Sequence, residues 1–233
     1  MSSIDDAKDL IRDSKNKLEL IKAGCARSLE ALTIEKQLII DIKHCLENLR
    51  SALDYSARDL FVRFGSSSKA KPKLYFPYTS KRKDFKKRVD ECIPGLYNAR
   101  PDLVQMLETF QDFHSGRLWM LSFMELTNKG KHVELTPQKR VQQKGTKIST
   151  GQHGLSTSKL VVHPGGRVVI GGKDIPAGEY GPGNLPDVGS DATAEVTTWE
   201  SLHFTINDCE VISFIKESID LVSAIVENIA AVK

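Results

Sequence analysis

The most constraining feature of this chain is a long apolar stripe with helical spacing between about Ile34 and Phe64. Hydrophobic residues recur there every three or four positions, at 39, 42, 46, 49, 53, 57, 60 and 64, with no Pro or Gly between them. This period predicts one continuous helix with a single buried face. Because such a face needs partners, we expect the helix to pack against other helices.

Helical periodicity on both sides of this stripe predicts those partners. An N-terminal helix is expected from about Ser3, ending either at Gly24 or nearer Thr33. The further predicted helices lie within 81–92, from Pro101 onward, over 118–126, and after a capping sequence at 207–210. The last of these is so apolar that we expect it to return to the helical core.

Between about Gly145 and Asn207 the pattern changes to glycine, proline and short β-branched runs. Pro164-Gly165-Gly166, between the runs 159–162 and 167–170, predicts a β-hairpin. The predicted fold class is therefore mainly α. It comprises a helical bundle core over 1–140, a small β-rich insertion over 141–206, and a C-terminal helix over 207–233 that packs back on the bundle.

Length and composition narrow the class of protein further. With 233 residues, 40 % of them hydrophobic, the chain suits one domain with a real core. Its apolar runs are too short or too interrupted for a membrane span, and its acidic N-terminus lacks the plan of a secretory signal, so we expect a cytoplasmic protein without a membrane partner. The four cysteines lack zinc-site spacing, and nucleotide-binding and metalloprotease motifs are absent, so we expect neither metal nor cofactor.

Charge is distributed unevenly along the chain, whose formal net charge is +3. Residues 69–88 carry +8 and residues 129–147 carry +5, so the remaining chain sums to −10. This asymmetry favours an anionic partner, for which RNA is a candidate.

Aromatic residues are interleaved with the lysines of the first basic segment: Tyr75, Phe76, Tyr78 and Phe85. They could stack on unpaired bases while the cations follow phosphates, or they could pack against the core. The predicted nucleic-acid-binding side chains are Lys81, Arg82, Lys83, Lys86, Lys87, Arg88, Lys129 and Lys131.

Polar residues flank the apolar stripe on both sides when the long helix is drawn as a wheel. Arg50 and Asp54 are spaced for an ion pair, and Asn48, on the other flank, could belong to a site or form an interhelical hydrogen bond. His132 follows Gly130, a predicted left-handed C-cap, and could either close that turn or act as acid and base in RNA cleavage through the 2′-hydroxyl. The candidate catalytic residues are His132, Arg50, Asp54 and Asn48.

Three strings carry a resemblance to known proteins: Asn48-Leu-Arg-Ser-Ala-Leu-Asp54, Phe76-Pro77 and Asn128-Lys-Gly-Lys-His132. Together they resemble a widespread group of uncharacterised bacterial and phage proteins. The helical layout also resembles HEPN domains, which are helical bundles of RNA-cleaving toxins and phage-defence effectors. This likeness implies a HEPN-like bundle that pairs with a second copy. The motif of HEPN nucleases, Arg, four to six residues, then His, is absent here, so Arg50 would have to replace the motif arginine in space.

Two functions follow as hypotheses. The first is an RNA-interacting protein, with metal-independent ribonuclease activity as its stronger form, of a defence or toxin–antitoxin system. In it His132 is the acid or base, Arg50, Lys131 and Lys129 stabilise phosphate charge, and Asp54 and Asn48 orient them. The alternative is a non-enzymatic helical module that binds a protein partner or a nucleotide, with the β-rich insertion as its recognition surface.

Overall fold

The fold is described here from a computed structural model, for residues 3–66, 74–132, 138–151 and 153–232, with the side chains of 129–132 outside that description. These residues form eight helices: α1 (Ser3–Glu30), α2 (Lys36–Phe64), α3 (Arg82–Cys92), α4 (Leu96–Ala99), α5 (Pro101–Thr109), α6 (Asp112–Ser115), α7 (Trp119–His132) and α8 (Val211–Ala230). They also form seven strands: β1 (Gln138–Thr150), β2 (His153–Thr157), β3 (Leu160–Val162), β4 (Val168–Ile170), β5 (Lys173–Ile175), β6 (Gly178–Tyr180) and β7 (Ala192–Phe204).

The chain divides into two compact units. Unit 1 consists of Met1–Lys139 and Leu202–Lys233 and holds the eight helices, whereas unit 2 is Arg140–Ser201 and holds most of the strand residues. Strands β1 and β7 carry the chain into and out of unit 2.

The predicted fold class, a mainly α, HEPN-like helical bundle with a small β-rich insertion, is wrong. Of the described residues, about 54 % are helical and about 22 % lie in strands that form antiparallel sheets, so the fold is mixed α and β. The missed strand content lies chiefly in β1, whose first half is so rich in Lys, Arg and Gln that it resembles a basic loop. In the sheet order β2-β1-β7, strand β1 lies between β2 and β7. Strand β7 is far away in sequence, and local patterns do not reveal such long-range pairing.

Helix α2 confirms the strongest prediction from the sequence. Six of the eight stripe residues are buried and the two end ones, Ile39 and Phe64, are half-buried. The helix packs against α1, α7 and α8. Helix α1 runs through Gly24 to Glu30, so the later of the two predicted ends is the correct one.

Helix α8 is equally well predicted. Eight apolar residues with helical spacing are buried along it: Val211, Phe214, Ile215, Ile219, Val222, Ile225, Val226 and Ile229. The carboxylate of Glu210 caps its start by accepting hydrogen bonds from the backbone N–H groups of Ile212 at 3.2 Å and Ser213 at 2.7 Å. Among the helices of the described ranges, none combines the length and apolar character needed to cross a membrane.

Unit 2 is built from short antiparallel pairings. Strands β1 and β2 form a ladder, β4 and β5 form a hairpin, and β3 pairs with β6. Gly171 and Gly172 close the β4–β5 hairpin with φ values of 58° and 79°, a backbone that favours glycine. The hairpin predicted around Pro164-Gly165-Gly166 is wrong, because the two strands that this turn joins pair with other strands.

Candidate functional site

Arg50 lies inside unit 1, with only 7 % of its side chain exposed. Its Nε is 3.4 Å from Asp54 Oδ2, which confirms the predicted ion pair within α2. The same guanidinium donates to Met124 Sδ on α7, and its carbon lies 5.4 Å from the ring centroid of Tyr78. Protein groups therefore already engage this cation from three directions.

The carboxylate of Asp54 joins α2 to the segment that leads into α3. Its Oδ1 accepts a hydrogen bond from the backbone N–H of Phe76 at 2.8 Å. Phe76 itself is fully buried in the hydrophobic core. Asp54 thus fixes both the guanidinium beside it and the backbone that carries Tyr78.

Tyr78 is the residue on which the neighbouring elements converge. Its ring contacts Arg50 of α2 and Arg88 of α3, whose guanidinium carbon is 5.7 Å from the centroid. Its hydroxyl accepts a hydrogen bond of 3.3 Å from Asn128 Nδ2 of α7. We call Arg50, Asp54, Tyr78, Arg88 and Asn128 the Tyr78 cluster.

The four aromatic residues of the basic segment divide between core and surface. Phe76 and Phe85 are buried, and Phe85 packs edge-on against Phe113 at 5.9 Å, so the core-packing alternative is confirmed for these two. Tyr78 is half-buried, whereas Tyr75 is 49 % exposed. Only the two tyrosines keep surface that a base could reach.

Helix α3 displays most of the predicted nucleic-acid-binding cations. Lys81, Arg82, Lys83, Lys86 and Lys87 are exposed, and Arg88 is half-buried. Some are engaged: Arg82 pairs with Glu108 at 2.7 Å, Arg88 with Glu91 at 3.2 Å, and Lys86 lies 4.1 Å from the centroid of the Tyr97 ring. Within the described part of the chain, Lys83 and Lys87 have no carboxylate within ion-pair distance. We call Lys83, Lys86 and Lys87 the α3 cationic face.

A cavity of about 200 Å³ lies between this face and the Tyr78 cluster. It is lined by Tyr78, Thr79, Asp84, Lys87, Arg88 and Glu91. The two cations supply donors for a phosphate, while the carboxylates and the Thr79 hydroxyl supply acceptors for sugar hydroxyls. The arrangement suits a ligand that presents both kinds of group side by side.

Asn48 lies on the other flank of α2, away from Arg50 and Asp54. Its Nδ2 donates to Asp13 Oδ2 of α1 at 2.7 Å. The alternative of an interhelical hydrogen bond is therefore confirmed, and the described side chains of the predicted catalytic set do not converge on one point.

His132, Lys129 and Lys131 lie in the last turn of α7, and their side chains fall outside the described residues. The predicted C-cap at Gly130 is wrong, because the helix continues through it to His132. A glycine inside a helix costs only about 1 kcal/mol relative to alanine, which the other contacts of a helix can offset. Position 132 is thus one helical turn beyond Asn128, which contacts Tyr78.

The described residues contain no group of three or more His, Cys, Asp or Glu side chains that could hold a metal ion. Burial raises the pKa of the Cys45 thiol to about 12 and that of Cys25 to about 11, so neither is a ready nucleophile near neutral pH. Comparisons with protein-family models, curated proteins and solved structures found no significant match to this chain.

Proposed function

We propose that the protein binds single-stranded RNA through the α3 cationic face. The observation that carries this proposal is the exposure of Lys83, Lys86 and Lys87 together on α3, with Lys83 and Lys87 lacking a carboxylate partner among the described side chains. Cations that are not neutralised by the protein attract phosphates and release the counterions condensed on them. A run of such cations on one helix is the expected footprint of a nucleic-acid partner.

The adjoining cavity supports RNA as the chemical class. Lys87 and Arg88 are positioned to bind a phosphate, and Asp84 and Glu91 can accept hydrogen bonds from a ribose 2′-hydroxyl. These carboxylates also repel phosphate, so they favour a backbone placed with its sugar, rather than its phosphate, beside them.

In this proposal Arg50 and Asp54 position the site and do not touch RNA. They hold the backbone of Phe76 and the ring of Tyr78, against which Arg88 rests. Loss of either would displace the wall of the cavity indirectly.

RNA cleavage is a second candidate function, and the position of residue 132 on α7 favours it. Position 132 lies one turn beyond Asn128, whose amide bonds the hydroxyl of Tyr78 at the cavity wall. A histidine at that position could act as acid or base on a bound strand. This activity would suit a defence or toxin–antitoxin protein.

Fluorescence anisotropy with a labelled single-stranded RNA of about 12 nucleotides tests the proposal. We expect the double variant Lys83→Glu/Lys87→Glu to bind at least about tenfold more weakly at low salt than the unaltered protein. The matched control is Lys8→Glu/Lys15→Glu, which makes the same charge change at exposed positions of α1. Equal weakening by both pairs would show that only net charge matters and would overturn the proposed site.

The same RNA, incubated with the protein in EDTA, tests the second candidate. Cleavage that disappears in a folded His132→Ala variant would support a metal-independent ribonuclease. Intact RNA after binding would exclude cleavage of this substrate and leave the binding function alone.

A further inference from the structure

Tyr97, on the short helix α4, presents an aromatic ring beside the α3 cationic face. The side chain of Tyr97 is 39 % exposed. The Nζ atom of Lys86, one of the three lysines of that face, lies 4.1 Å from the centroid of the ring. Proteins that bind single-stranded nucleic acids combine these two components, a cation for the backbone and an aromatic ring for a base.

The backbone around Tyr97 holds its ring at the surface. Ile93 and Leu96 are fully buried and anchor this part of the chain in the core of unit 1. Between them Gly95 has a φ of 87°, a conformation that favours glycine, and its carbonyl accepts a hydrogen bond of 3.0 Å from the backbone N–H of Ala99. Tyr97 follows the buried Leu96 directly and so points to a different side of the helix. A ring that is already held in place loses little freedom when a ligand packs against it.

The ring adjoins a shallow depression of about 460 Å³ on α3, to which Lys86 belongs. The depression is lined by Lys83, Lys86, Lys87, Asp90 and Glu91. Glu91 already pairs with Arg88 at 3.2 Å, so the carboxylates of this surface compensate its lysines only in part. Such a surface attracts phosphate. Lys86 therefore joins a phosphate-binding surface to an exposed aromatic ring.

We propose that one base of a bound strand stacks on the Tyr97 ring while Lys86 binds a phosphate next to that base. This inference rests on the RNA-binding function proposed above and assigns it a base-contacting residue. Stacking is open to every base, because each has a π-face, so the contact distinguishes unpaired strands from duplexes rather than one sequence from another.

Lys86 can give up its place over the ring at little cost. A cation–π contact at an exposed site contributes only about twofold to fivefold to an equilibrium. The stacking of a base on an aromatic side chain contributes about fivefold to 150-fold. The flexible four-carbon stem of Lys86 lets the ammonium turn from the ring to a phosphate, so the exchange of partners favours the bound strand.

The other tyrosines near α3 are less suited to this role. The ring of Tyr78 contacts Arg50 and Arg88, and Arg50 cannot turn away to a phosphate because its side chain is only 7 % exposed. Tyr75 is 49 % exposed, but no Lys or Arg side chain in the described part of the chain contacts its ring. Tyr97 alone among these three combines an exposed ring with a mobile cation.

RNA strands with and without bases test the inference by fluorescence anisotropy. The probe is a labelled uridylate strand of about 12 nucleotides, which has little structure of its own. The comparison strand carries abasic sugars that keep every phosphate and 2′-hydroxyl. We expect the unaltered protein to bind the uridylate strand at least about fivefold more tightly, since stacking adds only to that strand.

Variants of Tyr97 locate the stacking. Tyr97→Ala removes the ring and no charge, so we expect at least about fivefold weaker binding of the uridylate strand and unchanged binding of the abasic strand. Tyr97→Phe keeps the ring and should bind both strands as the unaltered protein does. Tyr55→Ala is the matched control, because Tyr55 on α2 is 37 % exposed and no described Lys or Arg contacts its ring.

Three results would overturn this inference while leaving RNA binding intact. They are equal affinity of the unaltered protein for the two strands, a preference for bases that survives in Tyr97→Ala, and an equal loss of both strands in that variant. The last would show that Tyr97 supports the shape of the site and does not contact a base. Failure of the unaltered protein to bind either strand would instead overturn the proposed function itself.

Discussion

The Asp54 carboxylate accepts a hydrogen bond of 2.8 Å from the backbone N–H of Phe76. On its other side it pairs with Arg50, and the two side chains are only 18 % and 7 % exposed. The Arg50–Asp54 pair, whose spacing resembles that of a catalytic pair, therefore has a structural role. It attaches the segment that leads into α3 to α2, the longest helix. The same attachment places Tyr78 against Arg88 and forms the wall of the proposed RNA site.

Replacement of Asp54 should be strongly destabilising. In Asp54→Ala the buried guanidinium of Arg50 loses its ion-pair partner, and removal of one member of a buried pair costs about 3–5 kcal/mol. Asp54→Asn keeps an oxygen for the Phe76 N–H and should lose less. Urea unfolding followed by circular dichroism measures the difference. Equal stability of Asp54→Ala and the unaltered protein would contradict the structural role assigned to the pair.

Thiol reactivity should single out Cys209. Cys25, Cys45 and Cys92 are buried, whereas Cys209 is half-buried. Burial raises the pKa of Cys25 to about 11 and that of Cys45 to about 12. A chromogenic disulfide reagent at about pH 8 should label Cys209 first and the other three only as the protein unfolds. Cys209→Ser should abolish the first phase. A first phase that survives in this variant would show that a cysteine described as buried is accessible.

The ion pair between Arg27 of α1 and Glu35, the residue before α2, should make the stability of the fold depend on pH. Arg27 donates two hydrogen bonds of 2.9 Å to Glu35, and these hold the pKa of Glu35 below its usual value. Because the pKa of Glu35 is lower in the folded state, its charge stabilises the fold at pH values above the unfolded-state pKa, about 4.3. This stabilisation is lost as the pH falls through the folded-state pKa.

The melting temperature of Glu35→Gln should therefore lie below that of the unaltered protein near pH 7, and the gap should close as the pH falls to about 3. Glu30→Gln is the control, because Glu30 is exposed and has no ion-pair partner among the described residues. A gap that is constant with pH would show that Glu35 acts through something other than its charge.

Local periodicity was sufficient to predict the helices that bury a single apolar face. Helices α2 and α8 are such elements, and their buried positions follow from spacing alone. The Arg50–Asp54 pair was also predictable, since four residues separate its members on one helix. The burial of this pair was not predictable, because Met124 and Tyr78, which surround Arg50, come from distant parts of the chain.

The start of α7 was predicted to within one residue, at 118 against Trp119, but the group that caps it was not. Asp112 accepts hydrogen bonds of 2.9 Å from the backbone N–H groups of both Met120 and Leu121, although it lies in the preceding helix and not at the usual capping position. Strand β1 was not predicted for a related reason, because one of its two neighbours, β7, is remote in sequence. In both cases tertiary contacts, rather than neighbouring residues, determine the structure.

In the proposed function, lysines of α3 neutralise RNA phosphates. The salt dependence of RNA affinity measures this most directly, since each neutralised phosphate of a single strand contributes about 0.7 to the slope of log K against log salt concentration. We predict a steep slope for the unaltered protein and a slope about 1.4 shallower for Lys83→Ala/Lys87→Ala. The control pair Lys8→Ala/Lys15→Ala should leave the slope unchanged. A slope near zero in the unaltered protein, or the same reduction by both pairs, would contradict the claim.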